Sequence, residues 1–198
     1  MTLGRNILWN LVGLVWITLL VIVVMPIMVR GLGLDAFGIW AVLGASTGYL
    51  STLDFGLNNA LIRFVAAEKE RERHERAEAF FRSGLTLQLL VGVLTGGLLV
   101  LAAPFLARDC FHVEARLLPE AITAFRISGV SLLLSFLIGA FAAIPAAMRR
   151  FDLLTVRTIL FMTLQYGLIV LALRLGGGLR DVVLANLLGT LIGLVFLI

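Results

Sequence analysis

The stretch YLSTLDFGLNNALIRF, residues 49–64, decides how this chain folds. Most of it is apolar, as a membrane helix would be, yet it holds Asp54, Asn58, Asn59 and Arg63. Its meaning depends on the solvent around it. Hydrophobic residues make up 61% of the 198 and charged residues 14%, and the mean hydropathy is +1.07. Soluble domains run at about 45–50% apolar and about 25% charged. A chain of this size has too much apolar surface to hide in a core of its own, so its solvent is lipid.

Uncharged apolar runs of about 20 residues mark spanning helices. Six can be drawn, at about 7–29, 37–57 with an extension to 67, 83–107, 127–147, 158–174 and 182–198. The expected fold is therefore an all-α membrane protein, a bundle of six transmembrane helices forming a single domain over 1–198. The first run is 23 residues long, more than the roughly 7–15 of a signal peptide, and no small-residue cleavage site ends it. Counting bases in the loops sets orientation. Arg5, Arg63, Lys69, Arg71, Arg73, Arg76, Arg82, Arg149, Arg150 and Arg157 fall on one side, and Arg30, Arg108, Arg116, Arg126, Arg174 and Arg180 on the other. The richer side takes the N-terminus, which is expected inside.

Local signals fit these boundaries. Asp35 precedes the second run as an N-cap would. Pro26 lies near the end of the first run, where a kink is tolerated. Trp9 and Trp40 lie near helix ends, as interfacial aromatics do, and Trp16 lies deeper. Gly44/Gly48, Gly92/Gly96, Ser131/Ser135/Gly139 and Gly189/Gly193 have the small-xxx-small spacing that lets helices approach; ordinary bundle packing explains them. The run EKERERHER, 68–76, reads as a solvated, partly helical cytoplasmic loop, in which Glu72/Arg76, like Glu78/Arg82 beyond it, has favourable i,i+4 order.

Several function classes are excluded or weakened. The net charge of +4 is scattered between apolar runs, with no basic and aromatic face for nucleic acid. The two histidines, His74 and His112, lack metal-ligand spacing, and the lone Cys110 makes no internal disulfide. No phosphate loop, zinc motif or nucleophile triad is present, so no catalytic residue, metal or cofactor is expected.

Two readings of the opening stretch remain. From Phe37 to Ala67 a single helix would be about 46 Å long, against a hydrocarbon core of about 30 Å. Either the polar residues mark the membrane exit, loosened by Gly56 and the two asparagines, or a break near Gly56–Asn59 turns them toward the bundle interior. Ionisable groups at membrane depth usually line a water-filled path.

RGLGLDAFGIW at 30–40, GYLSTLDFGL at 48–57 and ALIRFVA at 60–66 together resemble the N-terminal signature of polysaccharide transporters, the O-antigen-type flippases of the multidrug/oligosaccharidyl-lipid/polysaccharide exporter superfamily. The charged run and the Arg149-Arg150-Phe-Asp152 turn fit the same family. The resemblance implies one lobe of a twelve-to-fourteen-helix transporter that moves undecaprenyl-pyrophosphate-linked oligosaccharide across the bacterial cytoplasmic membrane. It implies a central cavity lined by the second helix, with Arg63 meeting the pyrophosphate and Arg30 at the outer mouth; Asp54, Asn58 and Asn59 join them as substrate-binding candidates from the reading of the stretch as a break facing that cavity. Arginine suits phosphate because its planar fork donates bidentately. The implied partners are the lipid-linked oligosaccharide, membrane lipid, and either a missing C-terminal lobe or a second copy. The rivals are a drug or cation antiporter of the same superfamily, which would want an acid in the first helix where 7–29 has none, a membrane-embedded glycan polymerase or transferase, and a membrane protein that transports nothing.

Overall fold

The computed structural model describes residues 3–148 and 151–196, and side chains at all of these except 3–7, 10 and 151. The Arg149–Arg150 pair and the side chain of Arg5 lie outside the described residues. Among the described residues every regular element is helical: α1 (Leu3–Ser51), α2 (Leu57–Glu70), α3 (His74–Phe105), α4 (Leu118–Ala147), α5 (Phe151–Arg174) and α6 (Leu179–Val195). Four stretches are long and apolar enough to cross a membrane, Leu11–Asp54, His74–Cys110, Leu118–Ala147 and Asp152–Arg174.

Helix α1 is two legs. Gly33 stands at φ 78°, ψ 166°, a region open essentially to glycine alone. The legs run in opposite senses, as their neighbours reveal. Along the first leg, Gly13 meets Thr155 and Gly31 meets Leu173, so this leg runs parallel to α5. Along the second, Asp35 reaches Arg116 and Ile39 and Leu43 share a core with Ala121 and Phe125, so it runs parallel to α4. Helix α5 is antiparallel to α6, with Gln165 against Gly189 and Phe161 against Gly193.

Small residues set the tightest crossing. Helices α3 and α4 meet where Gly96 and Gly129 place backbone on backbone: a Cβ at Gly96 would stand 2.5 Å from the Gly129 carbonyl oxygen. Gly92 sits one turn away against Leu133 and Phe136. Gly189 and Gly193 likewise admit α5. Gly44 and Gly48 admit no helix, since nothing approaches their would-be Cβ positions.

Three cores hold the bundle together. One joins Ala36, Ile39 and Leu43 to α3, α4 and α6 around the fully buried Phe125. A second joins Val24 and Met28 to α5 and α6. A third joins Leu61 and Val65 of α2 to Ala140 and Ala143 of α4. The outside is as apolar as the inside. Leu14, Ile22, Leu94, Leu101 and Leu160 are all exposed, which lipid tolerates and water does not.

Helix ends extend past the apolar runs. Helix α3 starts at His74, α4 at Leu118 and α5 at Phe151, because charged turns continue a helix into the interface while hydropathy sees only its lipid-crossing part. The 68–76 run is accordingly two helix ends joined by a tight turn. Glu72 occupies a left-handed position in that turn (φ 59°), so it lacks helical register with Arg76, whereas Glu78 and Arg82 pair at 2.6 Å. Asp35 stands just past the Gly33 break, and its carboxylate accepts from Arg116 Nη2 at 3.2 Å, both side chains exposed. Trp16 is exposed rather than packed, and it is anchored by its Nε1, which donates to Thr163 Oγ1 at 2.9 Å.

Candidate functional site

The opening stretch contains a true break. Thr52–Asp54 form a single 3₁₀ turn. Phe55 (φ 48°, ψ 25°) and Gly56 (φ 77°, ψ 13°) then take left-handed conformations before α2 begins. Asp54 serves the restart: its Oδ2 accepts from the Asn58 backbone N–H at 3.2 Å, satisfying an amide that has no partner within the new helix. Asp54 Oδ1 and Asn58 Oδ1 are buried with no protein partner, as is Nε2 of the nearby Gln88. Gln88 and Asn58 converge on Gly139, whose missing side chain leaves them room.

The structure thus brings Asp54 and Asn58 together. Asn59 and Arg63 sit four apart on the exposed side of α2. Arg30 is exposed near the Gly33 break, at the opposite end of the bundle from α2.

A hollow lined by many neutral polar side chains lies elsewhere. A cleft of about 500 Å³ opens between the second leg of α1 and helices α4, α5 and α6. Each wall is a helical stripe. Gly44, Thr47, Gly48 and Ser51 follow i, i+3, i+4, i+7, as do Ser128, Ser131 and Ser135 at i, i+3, i+7; Gln165 and Tyr166 face Asn186 and Thr190. Trp40 lies at one end of the Gly44 stripe, with its ring stacked on Phe37 at 5.7 Å. None of the residues lining the cleft is charged, and none of Asp54, Asn58, Asn59, Arg63 and Arg30 is among them.

Five of the cleft's hydroxyls share one arrangement. Thr47 donates to Leu43 O at 2.9 Å, Ser51 to Gly48 O at 2.7 Å, Ser131 to Ile127 O at 3.2 Å, Ser135 to Ser131 O at 2.9 Å and Thr190 to Asn186 O at 2.9 Å. Each proton is spent on the helix's own backbone, which satisfies the group without water. These five oxygens keep their lone pairs for a ligand, while the Ser128 and Tyr166 hydroxyls in the same lining can donate as well as accept. Across the cleft Gln165 Nε2 donates to Asn186 Oδ1. That bond leaves Asn186 Nδ2 as a donor and Gln165 Oε1 as an acceptor. An uncharged wall of many acceptors, a few amide donors and an aromatic suits a neutral molecule dense in hydroxyl groups.

Sequence reasoning read these serines and glycines as packing. The available signal was that Gly44/Gly48 and Ser131/Ser135 continue into further hydroxyls on the same face. Gln165 and Asn186 stood out only as single amides inside uncharged runs.

Comparison with known proteins places the chain. Residues 3–198 match the model of a family described as polysaccharide biosynthesis protein. A Shigella flexneri protein named for O-antigen transport is 34% identical over 83 residues, 42% of this chain and 20% of that protein. The uncharacterized membrane protein EpsK of Bacillus subtilis is 29% identical over 132 residues, 66% of this chain and 24% of that one. A crystal structure of MATE in complex with MaL6 shares the fold, with a TM-score of 0.74 over 97% of this chain and 44% of that one at 16% identity. The chain spans less than half the length of each protein it matches.

Proposed function

We propose a transport role, and its premise is that the chain belongs to the polysaccharide biosynthesis protein family. The chain forms one lobe of a bacterial inner-membrane transporter for lipid-linked oligosaccharide, with six passes and the N-terminus on the cytoplasmic side. The observation that carries this reading is the uncharged, hydroxyl-lined cleft. Sugars are recognised by hydrogen bonds and by aromatic faces, and the cleft offers both. Its walls hold no carboxylate, the group a cation antiporter would use there. Its hydroxyls have no histidine, lysine or carboxylate beside them in the lining to act as a base, so the reading is transport without bond chemistry.

The sequence candidates have places in this scheme. Arg63 and Asn59 present an exposed face of α2 to the remaining lobe, or to a second copy, and meet the substrate where that lobe closes. Asp54 and Asn58 hold the helix break that aims α2. Arg30 stands at the opposite mouth.

The test is export by the full-length natural protein in a strain whose own transporter is deleted, with surface polysaccharide as the readout. Asn186→Leu removes two hydrogen-bonding groups from the cleft. At roughly 0.5–1.5 kcal/mol each, export falls about tenfold at unchanged protein level. Arg63→Ala is expected to lose export as well. Normal polysaccharide from Asn186→Leu would overturn the cleft as the sugar site, and normal polysaccharide from Arg63→Ala would remove Arg63 from the substrate path.

A further inference from the structure

Arg157 is a cation set within the candidate span Asp152–Arg174. It lines a second hollow of about 640 Å³, at the end of the bundle where α4 gives way to α5. Every other wall is apolar or glycine, including Ile144 and Pro145 from α4, Leu160 and Phe161 from α5, and Phe196 beyond α6. Arg157 Nη2 donates to Gly193 O at 3.1 Å, and its Nε is buried with no partner. Ionisable groups within a membrane pair with one another or with backbone carbonyls; here the carbonyl of Gly193 takes one N–H, and the described residues that line the hollow include no carboxylate to take the others.

The two hollows share a wall. Phe161 lines both this groove and the hydroxyl-lined cleft. Gly193 packs against the Cδ2–Cε2 side of the Phe161 ring with no room for a Cβ, so the ring stands between the two hollows. The chemistry therefore changes in a set order: apolar groove, single guanidinium, aromatic partition, neutral polar cleft. A glycolipid joined through phosphate has the same order: hydrocarbon, phosphate, sugar.

We propose that the groove seats the phosphate and adjoining hydrocarbon of the lipid whose sugar occupies the cleft, with Arg157 as the phosphate ligand. The free Nε–H and remaining guanidinium N–H groups fit a phosphate fork, and the apolar walls take the first isoprenoid or acyl units. This inference rests on the transport reading above, and it names the group that holds the charged part of the substrate in the bound state.

The experiment is native mass spectrometry of the full-length protein with three probes: undecaprenyl diphosphate carrying no sugar, undecaprenol, and phosphatidylglycerol. The diphosphate is expected to bind the wild type, with affinity falling at least about tenfold in Arg157→Gln, the equivalent of 1.4 kcal/mol. Arg157→Lys falls between, because it keeps the charge and loses the fork. Undecaprenol is expected to bind wild type and Arg157→Gln alike. Glutamine can still donate to Gly193 O, so the variant should fold, and its melting temperature checks this. Should it not fold, Leu160→Glu leaves the arginine in place, adds a counter-charge one turn away, and must lose the diphosphate too. Equal diphosphate affinity in wild type and Arg157→Gln, no binding by the wild type, or equal displacement by phosphatidylglycerol would overturn the proposal. The two readings fail separately: a wrong groove leaves the Asn186→Leu export defect in place, and a wrong transport reading leaves diphosphate binding without glycan export.

Discussion

Replacing Gly96 by alanine tests the geometry that holds the bundle together. The α3–α4 crossing is backbone against backbone. A Cβ at Gly96 would meet the Gly129 carbonyl oxygen at 2.5 Å, and one at Gly129 would meet Gly96 O and Val100 Cγ2, each at 2.7 Å. Neither carbonyl can rotate away, because each belongs to a helix. The helices must part by about 1 Å to restore ordinary contact, and a gap of that size forfeits roughly a quarter to a half of each neighbouring van der Waals well. Overpacking of this kind costs about 1–3 kcal/mol. For a chain of this length that lowers the melting temperature by about 3–10 °C.

Neighbouring glycines supply the controls. Nothing lies within 4 Å of a Cβ at Gly97, so Gly97→Ala is neutral or gains up to about 1 kcal/mol of helix propensity. Gly92 faces Leu133 O and Phe136 Cβ at 3.3 Å, so Gly92→Ala falls between. The assay is scanning fluorimetry of the purified full-length protein in one detergent, with all variants in parallel. The expected order of stability is Gly97→Ala at or above wild type, then Gly92→Ala, then Gly96→Ala. A Gly96→Ala protein melting within 1 °C or so of wild type, or a Gly97→Ala protein falling as far as Gly96→Ala, would refute the reasoning.

Two further predictions concern the chain's reversals. Gly33→Ala meets no steric neighbour, yet it forces a side chain into a glycine-only region (φ 78°, ψ 166°) at about 1–3 kcal/mol; size-exclusion profiles should show less monodisperse protein, and an unchanged profile would mean the reversal does not need glycine. Asp54→Ala removes the acceptor for the Asn58 N–H and should lower stability by about 1 kcal/mol, while Asp54→Asn, which keeps an acceptor, should melt close to wild type. If both variants melt together, the carboxylate acts by charge and not as a cap.

Much of the fold was written in hydropathy. The long apolar runs fixed an all-helical membrane chain, and Gly33 lies between the first two of them, where the backbone does reverse. Helix ends were less visible, because hydropathy follows lipid contact and α3, α4 and α5 all continue into charged turns. The break at 52–56 was legible as Gly56 beside two asparagines, and its cause was not: Phe55 also turns left-handed, which no propensity of phenylalanine suggests. The site was harder still. Charges draw attention in an apolar chain, so Arg63 and Asp54 stood out, while the cleft is built from serines, threonines and glycines whose spacing is the same for packing as for lining. Arg157 was counted as a loop base, and only the placement of α5 from Phe151 puts it beside an apolar groove.

The cleft's chemistry bears on how a transporter avoids being trapped. A polar cavity facing lipid-buried helices is costly if its groups stay unpaired when empty. Here the hydroxyls of Thr47, Ser51, Ser131, Ser135 and Thr190 each give their proton to a carbonyl three or four residues back, and Gln165 pairs with Asn186. Those donors are already satisfied in the empty cleft. A sugar then adds bonds to spare lone pairs, each worth roughly 0.5–1.5 kcal/mol, without relieving a large penalty. Loaded and empty states therefore differ by little per contact, and a ligand shifts a conformational equilibrium only by its difference in affinity between states. On the transport reading, discrimination by many weak acceptors and retention by one arginine divide the work: the sugars can leave a few bonds at a time, and the phosphate contact sets when the lipid is released.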